Sequence, residues 1–161
     1  MAADILGNWQ TGGTLELQPG VILDWDNRIY NGDLNAIAKK NPEVSLKGDG
    51  TVDQAKTWFN TETGFEKLAA NQPVPFQTRF FPFRIDNVRG PGVFLANMNV
   101  GRNFDLGSRR SFQFRVDIQN LFNQPLYQNP STDPTNSNFG KVITATNSIM
   151  RFVTFVAKVN F

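Results

Sequence analysis

The sequence predicts an all-β chain: antiparallel strands forming the C-terminal part of a transmembrane β-barrel, with long extracellular loops. Three observations carry this expectation. The closing segment puts Val153, Phe155, Ala157, Val159 and Phe161 on one face and Thr154, Lys158 and Asn160 on the other, with Phe152 and Val156 as exceptions. Phe112–Gln119 alternates without error: Phe112, Phe114, Val116 and Ile118 point one way, and Gln113, Arg115, Asp117 and Gln119 the other. The alternating stretches are also long. A barrel strand needs roughly 9–11 residues to cross the membrane at a tilt, whereas soluble strands average about 5–6.

The first strand is expected over 8–18. Trp9, Thr11, Gly13, Leu15 and Leu17 oppose Gln10, Gly12, Thr14, Glu16 and Gln18, and Pro19-Gly20 ends the run. A long loop follows, about 24–90, rich in Asn, Asp, Gly, Pro and Lys. Two short helices are expected within it. Asp33 is placed to cap Leu34–Lys40 ahead of Asn41-Pro42, and Thr51-x-x-Gln54 is a capping box ahead of Ala55–Phe59. Asp24-Trp25-Asp26-Asn27 reads as a solvated turn, because a calcium loop would add a Gly and a closing Glu.

The second strand, 94–105, sets Phe94, Ala96, Met98 and Val100 against Asn97, Asn99 and Gly101. A short turn and a third strand, 109–122, complete a hairpin. Facing residues must share a face, so Met98 opposite Val116 requires an odd loop, which Leu106-Gly107-Ser108 supplies. That register sets Val100 against Phe114, Asn99 against Arg115 and Asn97 against Asp117. Another long loop, 123–147, leads to the last strand, 149–161. Long, short and long connections are what a chain threading in and out of an outer membrane gives, since outer loops are long and inner turns short.

Alternation alone fits a second architecture, a soluble or secreted antiparallel β-module with its apolar faces packed together and a binding or structural role. On the barrel reading, Glu16, Asn97, Asn99, Arg115, Asp117 and Lys158 face the lumen. Phe112, Phe114, Val116, Ile118, Phe155, Val159 and Phe161 face lipid. Trp9, Phe104, Phe112 and Phe161 fall at one rim and Phe94 and Phe122 at the other, as interfacial girdles do. Arg102 has apolar-face parity near the inner rim, with its head within reach of water.

Composition narrows the chemistry. The 161 residues hold no Cys and no His, which removes disulfides, thiolate sites, the usual general base and the commonest transition-metal ligand. The net charge of +2 comes without a Lys/Arg cluster, so a nucleic-acid surface is not expected. No catalytic constellation, metal site or cofactor is expected, and hence no enzyme. Mean hydropathy is −0.34, with no apolar run of about 18 residues for a helical span. Barrel strands evade that measure because half of each is polar. Residues 1–7 have neither the basic start nor the apolar run of a signal peptide.

Several motifs, in order, resemble the C-terminal end of TonB-dependent outer-membrane receptors. They are Gly7-Asn-Trp-Gln10, Gln18-Pro-Gly20, Trp58-Phe-Asn-Thr61, Arg89-Gly-Pro-Gly92, Asn97–Phe104, Phe112–Pro125 with its Asn-Leu-Phe-Asn-x-Pro, Asn138–Thr144 and the terminal Phe161. The group most resembled is the Oar-like one, which carries a carboxypeptidase-regulatory-like domain. Pro19-Gly20 departs from that family's usual Ser-Gly. The resemblance implies a bacterial outer-membrane location and a large closed barrel of which this chain supplies about four strands. It implies transport energised by TonB, which is met only through a missing N-terminal part, and it implies the plug and the rest of the receptor barrel as partners. It also implies outer-membrane lipid around the strands and recognition of the Phe161 strand by the barrel-assembly machinery.

Overall fold

The computed structural model describes residues 7–74, 76–107, 109–146 and 150–161. Among the described residues the strands are β1 (Trp9–Gln18), β2 (Ile22–Asp24), β3 (Arg84–Arg89), β4 (Val93–Gly107), β5 (Arg110–Gln119) and β6 (Phe152–Asn160). The chain divides into two compact units. One comprises Met1–Gln18, Val93–Pro125 and Asn147–Phe161; the other comprises Pro19–Gly92 and Leu126–Thr146.

The first unit is a four-stranded antiparallel sheet in the order β1-β4-β5-β6. The register carries face parity across every strand pair. Leu15 opposes Ala96, Val100 opposes Val116, and Val116 opposes Phe155. On the other side of the sheet Gly12 opposes Asn99, Asn99 opposes Asp117, and Asp117 opposes Thr154. One face is therefore apolar through four strands and the other mostly polar. Phe152, Val156, Val93 and Leu95 are apolar residues on the polar face, and Arg102 is a charge on the apolar one.

The β4–β5 hairpin differs from the expected register by two residues. Met98 pairs with Ile118, Val100 with Val116 and Asn99 with Asp117, rather than with Val116, Phe114 and Arg115. The cause lies at the turn. The pairing shifts between Asp105 and Gly107, and Gly107 and Arg109 both take positive φ (76° and 66°), so a bulge beside a tighter turn replaces the three-residue loop. Ser108 lies outside the described residues. A two-residue slip leaves side-chain facing unchanged, which is why parity identified the faces and missed the partners.

β5 stops at Gln119 because Asn120-Leu121-Phe122-Asn123 forms a turn. Asn120 and Asn123 adopt positive φ (49° and 52°), a region Asn tolerates better than most residues. The Asn120 side chain, 1% exposed, accepts from Gln124 N at 2.9 Å and donates to Gln124 O at 2.8 Å. Asn97 Oδ1 accepts from Asn120 N, Leu121 N donates to Ala96 O, and Asn123 Oδ1 accepts from Arg151 N just before β6. The motif thus joins the ends of β4, β5 and β6. The last strand begins at Phe152, and Ile149, where it was expected to start, lies outside the described residues.

The second unit, over which long loops were expected at 24–90 and 123–147, is a packed body. It has an aromatic core in which Leu23, Trp25, Ile37, Phe59, Phe65, Phe81, Ile85, Val88 and Phe139 are all buried. Trp25 is 0% exposed, and its ring meets Phe59 at 5.0 Å, Phe65 at 5.6 Å and Phe81 at 5.8 Å. The solvated turn expected at Asp24–Asn27 is thus the centre of a core. Asp24 lies on β2 and pairs with Arg84 of β3 at 2.7 Å, while Asn27 Oδ1 accepts from Phe80 N and Phe81 N.

Little regular structure supports this core. Asp33 does cap, its Oδ1 accepting from Asn35 N, but the turn is a 3-10 helix over Leu34–Ile37 rather than a helix to Lys40. It ends because Ile37 is fully buried and its carbonyl is taken by Asn60 N at 2.9 Å. The expected helix at Ala55–Phe59 is absent. The Thr51 hydroxyl bonds to Asp49 Oδ1, and Gln54 accepts from Lys141, so the capping-box partners are used elsewhere. A second 3-10 turn, Ala69–Asn71, carried no sequence expectation.

The Gly20 and Gly90 positions show why Gln-Pro-Gly and Arg-Gly-Pro-Gly occur together. Gly90 N donates to Val21 O at 2.8 Å, and a Cβ on Gly20 would stand 1.7 Å from Gly90 O. Only a residue without a side chain allows the two segments to run this close.

Candidate functional site

The polar face of the sheet collects every residue expected to line a lumen. Glu16 lies opposite Leu95 and accepts from Gln18 Nε2 at 2.6 Å. Asn97 donates to Thr14 Oγ1 at 3.1 Å. Asn99 sits between Gly12 and Asp117, and Lys158 opposes Gln113. Arg115 and Asp117, two residues apart on β5, form an ion pair at 3.0 Å. The Arg115 stem lies over Gly101, where an added Cβ would come within 3.2 Å of Arg115 Cγ. The result is a hydrogen-bonded ladder with a shallow hollow of about 220 Å³ lined by Thr14, Asn97, Asn99, Asp117 and Gln119, among others.

The opposite face collects the apolar set. Phe112 opposes Phe104 and Val159, Phe114 opposes Arg102 and Ala157, and Ile118 opposes Met98 and Val153. Rings stack between Phe104 and Phe112 at 5.8 Å and between Phe114 and Phe155 at 6.4 Å, and Phe94 meets Phe122 at 5.7 Å. Leu15, Leu17 and Phe155 are 61%, 64% and 69% exposed. Arg102 does not extend to water as expected. It is buried, with its guanidinium 4.6 Å from the Phe104 ring and 5.8 Å from the Trp9 ring. Phe161 is almost fully exposed beyond β6.

The second unit carries polar hollows that sequence reading missed. Gln54, Thr61, Glu62, Lys67 and Lys141, with the apolar Pro134 and Phe139 among others, line one of about 270 Å³. Gln128, Asn129, Asn138, Lys141 and the apolar Ile143, among others, line a second, of about 220 Å³. Glu62 is held below the ordinary carboxylate range by its hydrogen bond and charge pairing with Lys67, 2.7 Å away, and by the Thr61 hydroxyl. Among the described residues no group of three or more Asp, Glu, His or Cys converges on a metal-sized site.

Gly140 holds one wall of these hollows. Its φ is +73°, its carbonyl accepts from Trp58 N at 2.7 Å, and an added Cβ would stand 2.3 Å from the Thr61 methyl. Gly140→Ala should therefore lower the stability of this unit by at least about 1–2 kcal/mol, the cost of a left-handed non-glycine residue before any clash is counted. Denaturant unfolding followed by Trp fluorescence measures it; an unchanged midpoint would show that the segment relaxes freely.

An antiparallel sheet of long strands, apolar on one side and polar on the other, is the pattern of membrane β-barrel strands. A family profile described as outer membrane beta barrel domain matches residues 1–153, and the chain belongs to that family. It is a protein of the bacterial outer membrane. No match is found among curated proteins, and none among solved structures.

Proposed function

We propose that this chain is a non-enzymatic part of a TonB-dependent receptor in the outer membrane. Its four-stranded sheet contributes lipid-spanning strands, and its long connections contact the transported substrate outside the cell. The observation that carries this reading is the two-sidedness of the sheet, kept in register through four strands. The apolar side meets lipid and the Glu16–Asn97–Asn99–Arg115–Asp117–Lys158 side meets the lumen. The aromatic spacing supports the assignment. From the Phe94–Phe122 pair to the Phe104–Phe112 pair, strands rising about 3.3 Å per residue and tilted by roughly 40° climb about 25 Å, the height of a barrel's apolar band. The receptor identity itself rests on the ordered motifs named above.

The partners follow from the same chemistry. β1 and β6 each have one edge unpaired within the sheet. An open edge in hydrocarbon costs several kcal/mol per unsatisfied group, so further strands of the receptor complete it. The plug meets the polar face, and TonB is engaged through an N-terminal part rather than by these strands. In cells, the full receptor should be recovered cross-linked to TonB. Its absence from such cross-links, with normal surface levels, would leave a barrel without TonB dependence.

Phe161 serves recognition by the barrel-assembly machinery. Deleting it from the full receptor should lower the assembled, heat-modifiable form several-fold, whereas Gln77→Ala, at an exposed loop position, should not. Equal assembly of both would remove this role.

A further inference from the structure

At the β4–β5 turn the apolar face of the sheet becomes basic. Arg110 opens β5 with the parity of Phe112, Phe114, Val116 and Ile118, and Arg102 has the same facing on β4, opposite Phe114. We infer that this corner binds the headgroup phosphate of an anionic phospholipid in the inner leaflet of the outer membrane. The inference rests on the reading that puts the apolar side in lipid and the short β4–β5 turn at the inner surface.

The charges favour an anion. Arg102 is buried and held against the Phe104 and Trp9 rings, so it supplies fixed positive charge at this end of the face. Arg109 and Arg110 are exposed, and neither makes an ion pair or a side-chain hydrogen bond within the described residues. The acidic residue of the same hairpin end, Asp105, has the opposite facing, paired with Ser111, and its Oδ1 accepts from Gly107 N at 2.8 Å. An arginine on the lipid side is costly at hydrocarbon depth, but at the surface it is stabilised by anionic lipid.

The surroundings select a lipid over a soluble anion. Gly107 lies opposite Arg110, and a Cβ built on it would meet nothing within 4 Å, so the space beside Arg110 is open. Next along the face, Phe104 and Phe112 stack at 5.8 Å, and Val159 lies opposite Phe112. Trp9 lies opposite Arg102, the amphipathic ring suited to headgroup depth. An acyl chain can lie along these rings while its phosphate meets the arginines, whereas free phosphate would gain only the charges. A headgroup that carries an amine brings its own cation beside Arg109 and Arg110, so a net anionic headgroup is preferred.

The test is native mass spectrometry of the full receptor in detergent with equal amounts of phosphatidylglycerol and phosphatidylethanolamine. Preferential retention of phosphatidylglycerol is expected. Arg109→Gln with Arg110→Gln should lower that preference about tenfold, the effect of removing two basic residues from an anionic lipid surface. Arg109→Lys with Arg110→Lys should keep most of it, because the charge stays and both pairs meet the same backbone at position 109. Lys40→Gln with Lys47→Gln, which removes as much exposed charge from the second unit, should leave it unchanged. Equal retention of the two lipids, a preference indifferent to the Gln pair, or equal loss in the Gln and Lys pairs would each overturn the site. Nitroxide scanning of 112–119 for contact with oxygen dissolved in lipid tests the underlying reading separately. With a two-residue periodicity present, loss of the lipid preference removes the headgroup site alone; without that periodicity both fall.

Discussion

Val116→Arg should destabilise the assembled receptor by about 2–4 kcal/mol, while Asp117→Arg should cost distinctly less. The two positions are neighbours on β5 and so share a depth in the sheet. Val116 lies between Val100 and Phe155, midway between the aromatic pairs, where an arginine would be placed in hydrocarbon. Asp117 lies between Asn99 and Thr154, on a face that already carries Arg115 and Lys158. Its replacement loses the 3.0 Å ion pair with Arg115 and sets two like charges two residues apart, but the polar side keeps them solvated. A half-exposed pair of this kind contributes at most about 1 kcal/mol. Refolding into vesicles at graded denaturant measures both.

A buried core would also penalise Val116→Arg, so a second readout fixes what the face touches. A nitroxide at 112, 114, 116 or 118 should be relaxed by oxygen dissolved in lipid and shielded from a water-soluble relaxant. At 113, 115, 117 and 119 the oxygen effect should fall. Absence of this two-residue oscillation, or shielding of the apolar set from both reagents, would contradict the lipid-facing assignment.

The sheet was legible in the sequence because a strand's facing is a local property. Phe112–Gln119 declares its two sides within eight letters, four apolar and four polar. Pairing was less legible. The partner of Val116 depends on whether the turn at Gly107–Arg110 holds a bulge, and a shift of two residues changes no face. Arg102 kept its parity but not its expected environment, because its contacts with Trp9 and Phe104 come from paired and next-nearest positions that periodicity does not rank.

The second unit was illegible for a different reason. Its core gathers Leu23, Trp25, Ile37, Phe59, Phe65, Phe81 and Phe139 from distant parts of the chain, with no repeat between them. What positions them is side-chain capping of turns by Asp33, Asp49, Asp53, Asn60, Asp133 and Asn136, each of which alone reads as a surface turn. The amide-rich composition that marked these stretches as loops is the same composition that builds the framework and lines its hollows.

Trp25→Ala should be the most damaging single change in that unit, at about 3–5 kcal/mol, the range for removing a large buried aromatic. Trp25 is fully enclosed and touches three of the unit's rings, so its loss leaves a cavity that Phe59, Phe65 and Phe81 cannot all close. Its carbonyl also accepts from Arg79 at 3.0 Å and its amide donates to Phe83 O at 2.8 Å, so backbone displacement would spread toward β3. The sheet has its own hydrogen bonds and should survive. Limited trypsin digestion of the receptor in membranes should then cut faster at Lys39, Lys47 and Lys56 than in the parent, while β4 and β5 stay protected. Phe80→Ala, at a ring 58% exposed, should leave the digestion pattern unchanged. If Trp25→Ala and Phe80→Ala digest alike, the unit is not held by this core.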